Sequence, residues 1–367
     1  MAIPAQQARA IFTKLFLERY QEIIPAPSFL KSFFPVRTAS SLMVSIEVQR
    51  GTEKISVDVQ RGTPGHGNQF TRSTEKMYIP PFFKEWFDIT QMDNYDVVFG
   101  SDNMTGDQVG NLAMSVAEKY ATLQQKIERS KELLVSNVLE TGAITLVNAD
   151  TINFKRRAGS MVDIGLTDQT QYWNNATAPV EAHLIAGSEF IRQYGKNGAG
   201  VFNLIMSGAT FNYLKNTNYF SKLAGYQQVD LIDIVMPQKQ AFGAGYHGVI
   251  TAGAYKYNIW TYDETYVDAD GATQRYWPAD YVCMLPVTGT RFIYAHGGIP
   301  QIMRNAQNAE MPQYIRYQAA EYGFNNWIDQ RATAHIFEIM SAPVPVPVTV
   351  DMIYTFKAIG TVNPQQG

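Results

Sequence analysis

The sequence predicts an α+β chain organised around one long helix. Three observations carry that expectation. The stretch from Asp107 to Glu140 holds no proline, and its one glycine, Gly110, lies in the first turn. Runs of alternating polar and apolar residues lie on either side of it, at 42–79 and 313–340. Between the helix and the second run, residues 201–300 mix buried-strand patterns with a short helix, as in a separate α/β unit.

The helix is the best defined element. Val109, Ala113, Val116, Tyr120, Leu123, Ile127, Leu134 and Val138 recur in steps of three, four or seven, which places them on one helical face. Asp107 is a suitable N-cap, and Thr141-Gly142 supplies the stop. At 1.5 Å per residue the helix is about 50 Å long, a spine. Its other face is assigned Glu118, Lys119, Gln124, Gln125, Lys126, Glu128, Arg129, Lys131 and Glu132. The narrow apolar stripe fits a helix laid along a sheet.

Ahead of the spine the chain reads as an arm, a ribbon and an aromatic base. The arm holds a short amphipathic helix, roughly Ala5 to Glu22, then Phe29, Leu30, Phe33 and Phe34 among prolines. These large side chains need a surface, either the chain's own core or a neighbouring subunit. In the ribbon, Val44, Ile46 and Val48 alternate with polar residues, as do Ile55, Val57 and Val59. Glu47-Val48-Gln49-Arg50-Gly51-Thr52 is nearly repeated as Asp58-Val59-Gln60-Arg61-Gly62-Thr63, with Gly51 suited to a turn. Phe70 to Ile79 can return as a strand. Such a ribbon is marginal alone and is expected to lean on something else, plausibly another copy. Pro80 to Phe87 is expected to plug the core at its base.

After the spine, Ile144 to Val147 and Thr151 to Phe154 read as a hairpin, followed by Lys155-Arg156-Arg157. Three adjacent cations suit solvent, an acidic patch on a neighbour, or phosphates. A helix is expected from Val180 to Tyr194 and a buried strand from Val201 to Met206. Ser207-Gly208-Ala209-Thr210 then opens a short helix, Phe211 to Leu214. Further strands are expected near Val249-Ile250, Asn258 to Tyr262, Tyr281 to Leu285, Arg291 to Ala295 and Val348 to Phe356. Pro343, Pro345 and Pro347 confine their segment to an edge or an extended stretch.

Composition narrows the function. Thirty basic and 33 acidic residues give a net charge of −3, without the positive field that gripping nucleic acid requires. The single cysteine, Cys283, excludes an internal disulfide and fits a reducing cytoplasm. No signal peptide or apolar run near membrane-spanning length is present, so no membrane partner is expected. The 21 Tyr, 20 Phe and 5 Trp suit broad interfaces as well as cores.

The search for chemistry assigns no catalytic, cofactor-binding or metal-binding residues. Gly243-Ala244-Gly245-Tyr246-His247-Gly248 fits G-x-G-x-x-G, but strands follow where a dinucleotide site needs a helix, so it is read as a glycine-rich turn. His66, His183, His247, His296 and His335 show no metal-ligand spacing and are read as surface or satisfied core residues. Asp263-Glu264 and Asp268 are assigned to a solvated loop. An enzyme is not expected.

The order of arm, long ribbon, aromatic base, spine helix, strands, α/β unit and returning strands resembles the Hong Kong 97-type phage capsid fold. At residue level the chain is similar to the lambda-type major capsid protein family. The residues concerned are Tyr246-His247-Gly248-Val249, Trp277-Pro278-Ala279-Asp280-Tyr281-Val282, Arg291-Phe292-Ile293-Tyr294 leading to Gly297-Gly298, Ser341-Ala342-Pro343, and Val350-Asp351. The resemblance implies an HK97-like α+β architecture with an N-terminal arm at 1–38 and an extended loop at 39–80. A peripheral domain would take 81–178 and 301–367, with the spine helix at 107–140, and an axial domain 179–300. It implies the major capsid protein of a tailed double-stranded DNA phage, assembling as hexamers and pentamers of an icosahedral virion shell in the host bacterial cytoplasm. Arg50, Arg61, Lys155, Arg156 and Arg157 are the candidate assembly contacts. Some relatives crosslink a loop lysine to an asparagine; Lys54 lies in the right region, but no matched acceptor is identified, so no crosslink is expected.

The implied partners are further copies of the chain, a separate scaffolding protein and a portal protein, with a decoration protein left open. Scaffolding is expected to be separate because arm, ribbon and aromatic base already fill the residues ahead of the spine. Packaged DNA would be met only by weak, non-specific contact. The competing readings are an encapsulin-like compartment shell and a carbohydrate-binding protein or hydrolase.

Overall fold

The computed structural model describes residues 25–40, 44–47, 75–90, 106–146, 151–225, 238–239, 243–268, 270–303, 314–329 and 334–360. The expected arm helix, Gly51, Lys54 and the inner part of the ribbon lie outside these residues. Helix α1 runs Gly106–Thr141 and matches the expected spine. It ends where Gly142 takes a left-handed φ of +70° and donates its N–H to Val138 O at 3.0 Å.

The second half of α1 is buried on more than one side, which corrects the single-stripe expectation. Val135 and Leu139 pack with Phe29, Leu30, Ile205, Tyr262, Trp277 and Tyr294. Leu134 and Val138 pack with Ile144, Ile152, Val344 and Val346. Lys131 and Glu132, assigned to the polar face, are 0% exposed. A helix apolar all round sits within a core, and any polar residue there needs a partner. Phe29, Leu30 and Phe34 settle on the chain's own core.

The largest sheet has seven strands. In order they are Met161–Asp163, Tyr354–Lys357, Tyr281–Pro286, Val201–Met206, Tyr255–Tyr262, Ala244–Ala252 and Gln238–Lys239. Val201–Met206 runs parallel to Tyr255–Tyr262 and antiparallel to Tyr281–Pro286. The α/β unit is therefore not self-contained, because 354–357 and 161–163 complete its sheet. Helix α2, Val180–Tyr194, covers the sheet with Val180, Leu184 and Ile191. It comes so close that a Cβ on Gly187 would lie 2.8 Å from Tyr354 Cδ1 and 2.9 Å from Met284 Cε. Helix α3, Gly208–Lys215, starts where Ser207 Oγ accepts from Thr210 N at 3.1 Å, and α4, Asn218–Gly225, follows. The Gly243–Gly248 stretch lies mostly within Ala244–Ala252, where the register shifts between Tyr246 and Val249 and Gly248 has φ +102°. It is thus a bulged strand, not the turn expected.

Two three-stranded sheets flank the spine. In one, Phe292–His296 runs between Val36–Thr38 and Pro343–Pro347. The prolines hold an edge, as their missing N–H requires, and Val344 and Val346 reach the spine. In the other, Ala334–Ser341 runs antiparallel between Gly323–Asp329 and Phe83–Thr90. Among the described residues four two-stranded ribbons remain: Val44–Glu47 with Glu75–Tyr78, Ala143–Thr145 with Thr151–Asn153, Thr265–Val267 with Thr273–Arg275, and Ile299–Met303 with Tyr314–Gln318.

Candidate assembly surfaces and arm anchor

The three cations after the 151–153 strand do three different things. Ile152, Phe154 and Arg156 point inward, while Asn153, Lys155 and Arg157 alternate outward. Arg156 is buried, so its assignment as an assembly contact is corrected. Its Nη1 donates to Leu139 O and Glu140 O at 2.7 and 3.1 Å, capping the carbonyl end of α1. Nη2 donates to Ser160 O, Ile353 O and Thr355 Oγ1, and Nε to Ser160 Oγ. Burial lowers its pKa to about 10 and leaves it a cation. Arg157 lies over the Tyr194 ring at 4.7 Å and pairs with Asp351 at 3.3 Å. Lys155 is exposed with φ +53°. Arg50 and Arg61 lie outside the described residues.

Sheet 83–90/334–341/323–329 carries an exposed aromatic face. Trp86 stands opposite Glu338, and Trp327 opposite Ile336, two residues along the central strand, so both indoles share one side. They are 58% and 39% exposed. On the other side Phe87 and Phe337 stack at 5.2 Å and meet Tyr120 of α1 edge-on. Pro80–Phe87 is accordingly an alternating strand and its lead-in, not a core plug. Its outward members Phe82 and Trp86 are exposed, so aromatic size alone does not place them in the core. Between the indoles Glu338 is buried and pairs with Lys84 at 2.9 Å. Large exposed aromatics gathered on a rigid sheet are suited to a protein interface.

A buried polar cluster joins the root of the arm to the spine, and sequence reasoning missed it. Glu132 accepts from Leu30 N at 2.8 Å, Lys31 N at 2.9 Å and Tyr262 OH at 2.9 Å. Lys31 Nζ lies 2.6 Å from Glu128 and 3.5 Å from Glu321. Lys131 Nζ lies 3.0 Å from Glu128 and 2.8 Å from both Glu321 and the Tyr322 hydroxyl, which itself donates to Glu128. His296, 0% exposed, has Nε2 3.9 Å from Glu321. Burial raises Glu132 to about 7 against its three donors. Burial, reinforced by the Lys131 charge, lowers His296 to about 4. Glu128 and Glu321 lie below the usual carboxylate range because Lys131 and Lys31 outweigh their burial. A usable signal was present: Leu133-Leu134-Val135 and Val138-Leu139 follow Lys131-Glu132 directly and hold more apolar residues than one helical stripe carries.

The remaining candidates have structural partners. Asp263 accepts from Gly208 N at the start of α3 and pairs with Arg275 at 2.7 Å. His183 bonds Trp173 and Gln171, His247 bonds Thr261, and His335 lies against Phe337. His66 is outside the described residues. Among the described residues no three His, Cys, Asp or Glu gather to hold a metal, and no helix is long and apolar enough to cross a membrane.

Comparison with known proteins gives this geometry a family. Residues 17–358 match the family described as phage major capsid protein E. Among solved structures the chain is similar to a protein of Escherichia coli CFT073 described as a prophage capsid protein. The identity is 17%, covering 98% of this chain and 100% of that one, with a TM-score of 0.58. A phage-related protein from Bordetella bronchiseptica RB50 is 12% identical over 96% of this chain and 98% of that one, TM-score 0.49. The mature capsid of bacteriophage PhiM1 is 9% identical over 93% and 90%, TM-score 0.48. No curated protein matches the chain. The fold is the HK97-like α+β capsid fold that the element order implied. On the match over 17–358, the chain belongs to the phage major capsid protein E family.

Proposed function

We propose that this chain is the head-shell subunit of a tailed double-stranded DNA phage, and that its copies join as hexamers and pentamers of the icosahedral virion shell. The observation that carries the self-assembly is the ribbon. Val44–Glu47 pairs with Glu75–Tyr78 and, among the described residues, with no third strand. A two-stranded ribbon is marginal in water by itself, and a neighbouring copy in a shell supplies the missing surface. The role is structural.

The division into arm 1–38, extended loop 39–80, peripheral domain 81–178 with 301–367 and axial domain 179–300 is retained as part of this proposal. Strands 161–163 and 354–357 then serve as the seam between the two domains. Arg50, Arg61, Lys155 and Arg157 remain proposed contact residues, and the Trp86–Trp327 face joins them. A separate scaffolding protein and a portal protein are the proposed partners. Assembly is placed in the host cytoplasm, and contact with packaged DNA is weak, as a net charge of −3 favours.

The test is deletion of residues 49–68 with a short turn closing the gap. The shortened chain should remain folded and should fail to form shells by negative stain. Normal particles from it would refute the inter-subunit role of the ribbon.

A further inference from the structure

We propose that Glu321 couples the root of the arm to the 323–341 sheet, so that the seating of residues 25–34 on the spine sets how firmly that sheet is held. The inference concerns a single subunit and stands apart from how subunits join.

The geometry is that of one carboxylate shared by two cations from different elements. Lys31 comes from the arm root and Lys131 from α1, and both reach Glu321. Glu321 is placed in the short link between strands Tyr314–Gln318 and Gly323–Asp329. Its own carbonyl accepts from Ser341 Oγ at 2.7 Å, which ties the link to the central strand of the sheet. The next residue, Tyr322, lies under Lys131 with its ring centroid 4.0 Å from Nζ. On the arm side, Glu132 holds the backbone of Leu30 and Lys31, and Gln125 Oε1 accepts from Ala26 N at 2.6 Å. The arm root thus has a defined seat, and Lys31 is its one charged reach toward the sheet.

The charges do not divide into independent pairs. Lys31 and Lys131 face Glu128 and Glu321, with Glu132 on the Lys31 backbone and His296 neutral beside them. Removing one member of a buried cluster leaves its partners desolvated and unpaired, so the cluster holds or yields as a unit. Unseating the arm root withdraws Lys31 and Glu132's two backbone donors together. Glu321 then keeps Lys131 as its charged partner, itself held by Glu128 and the Tyr322 hydroxyl. Coupling of this kind is reciprocal.

Hydrogen exchange of the unassembled full chain tests it in both directions. Lys31→Met should speed amide exchange in strand 323–329, and Glu321→Gln should speed exchange at 29–34. Each effect should be about 5- to 150-fold, the ordinary range of coupling between sites. The double variant should fall short of the product of the two. Arg275→Met, which breaks an exposed ion pair with Asp263 elsewhere, should change neither segment. If Lys31→Met does not fold, Glu321→Gln decides alone, since it keeps the side chain's size at a half-buried position. Exchange confined to each variant's own segment, or effects that multiply independently, would overturn the proposal.

Discussion

Replacing Arg156 with Met would strip the end of the spine of its donors. Leu139 O, Glu140 O, Ser160 O and Ile353 O would lose a charged partner in a largely buried place. An unsatisfied buried group costs about 1–3 kcal/mol, so a total loss of about 3 kcal/mol is expected after relaxation. Arg157→Met removes one pairing of the buried Asp351 and a contact over the Tyr194 ring, and should cost less, about 1–2 kcal/mol. Urea midpoints of the two variants check the contrast. That contrast was partly legible: continuing the period-two alternation of Ile152 and Phe154 by one step puts Arg156 inside. Reading Lys155-Arg156-Arg157 as a charge run hid it. A second residue-scale prediction concerns pH. Burial raises Glu132 from 4.5 to about 7, so its contribution to stability is whole below 4.5 and is lost as pH rises through about 7. His296 falls from 6.5 to about 4, so its contribution is whole above 6.5 and is lost as pH falls toward 4. Each shift is worth on the order of 3 kcal/mol, and between about pH 4.5 and 6.5 they oppose each other. Glu132→Gln removes the term that favours mild acid. Its melting temperature, relative to the parent chain, should drop further at pH 5 than at pH 7.5. Parallel curves would mean that Glu132 exchanges no proton on folding.

The spine shows what a periodic element reveals and what it conceals. Its limits were legible because α-periodicity and a glycine stop agree within one residue of Gly106–Thr141, although Asp107, expected as the N-cap, is already the second residue of the helix. The burial of its second half was not, because the stripe was counted through one face only. Leu123→Pro removes a hydrogen bond in mid-helix and clashes with the preceding turn, at about 3 kcal/mol or more. The variant should be insoluble. A soluble protein with unchanged helical circular dichroism would contradict the helix. The outer sheet face makes a different prediction. Trp86 and Trp327 cover little of the subunit's own core, so Trp86→Ser with Trp327→Ser should shift subunit stability by no more than about 1 kcal/mol. Particle yield by sedimentation should fall sharply. Unchanged yield would remove this face from the assembly contacts.

At the scale of the molecule, element order was more legible than closure. Local patterns located Val180–Tyr194 and Val201–Met206 to the residue. They could not show that Tyr354–Lys357 inserts between Met161–Asp163 and Tyr281–Pro286, since pairing over such a separation leaves no local trace. The same limit applies between copies, and it bears on how a shell finds its size. Curvature in a shell of identical subunits rests on small angular differences between similar contacts. A spine held along its second half, by Arg156 at its end and by the Lys31–Glu132 cluster before it, is stiff there and has little means of selecting one angle. Expressed alone, the chain should therefore give mixed diameters, tubes or open sheets by negative stain. Co-expression of a separate scaffolding protein from the same phage should narrow that distribution to one size. Uniform full-size heads from this chain alone would show that the subunit sets its own curvature and that no external scaffold is needed.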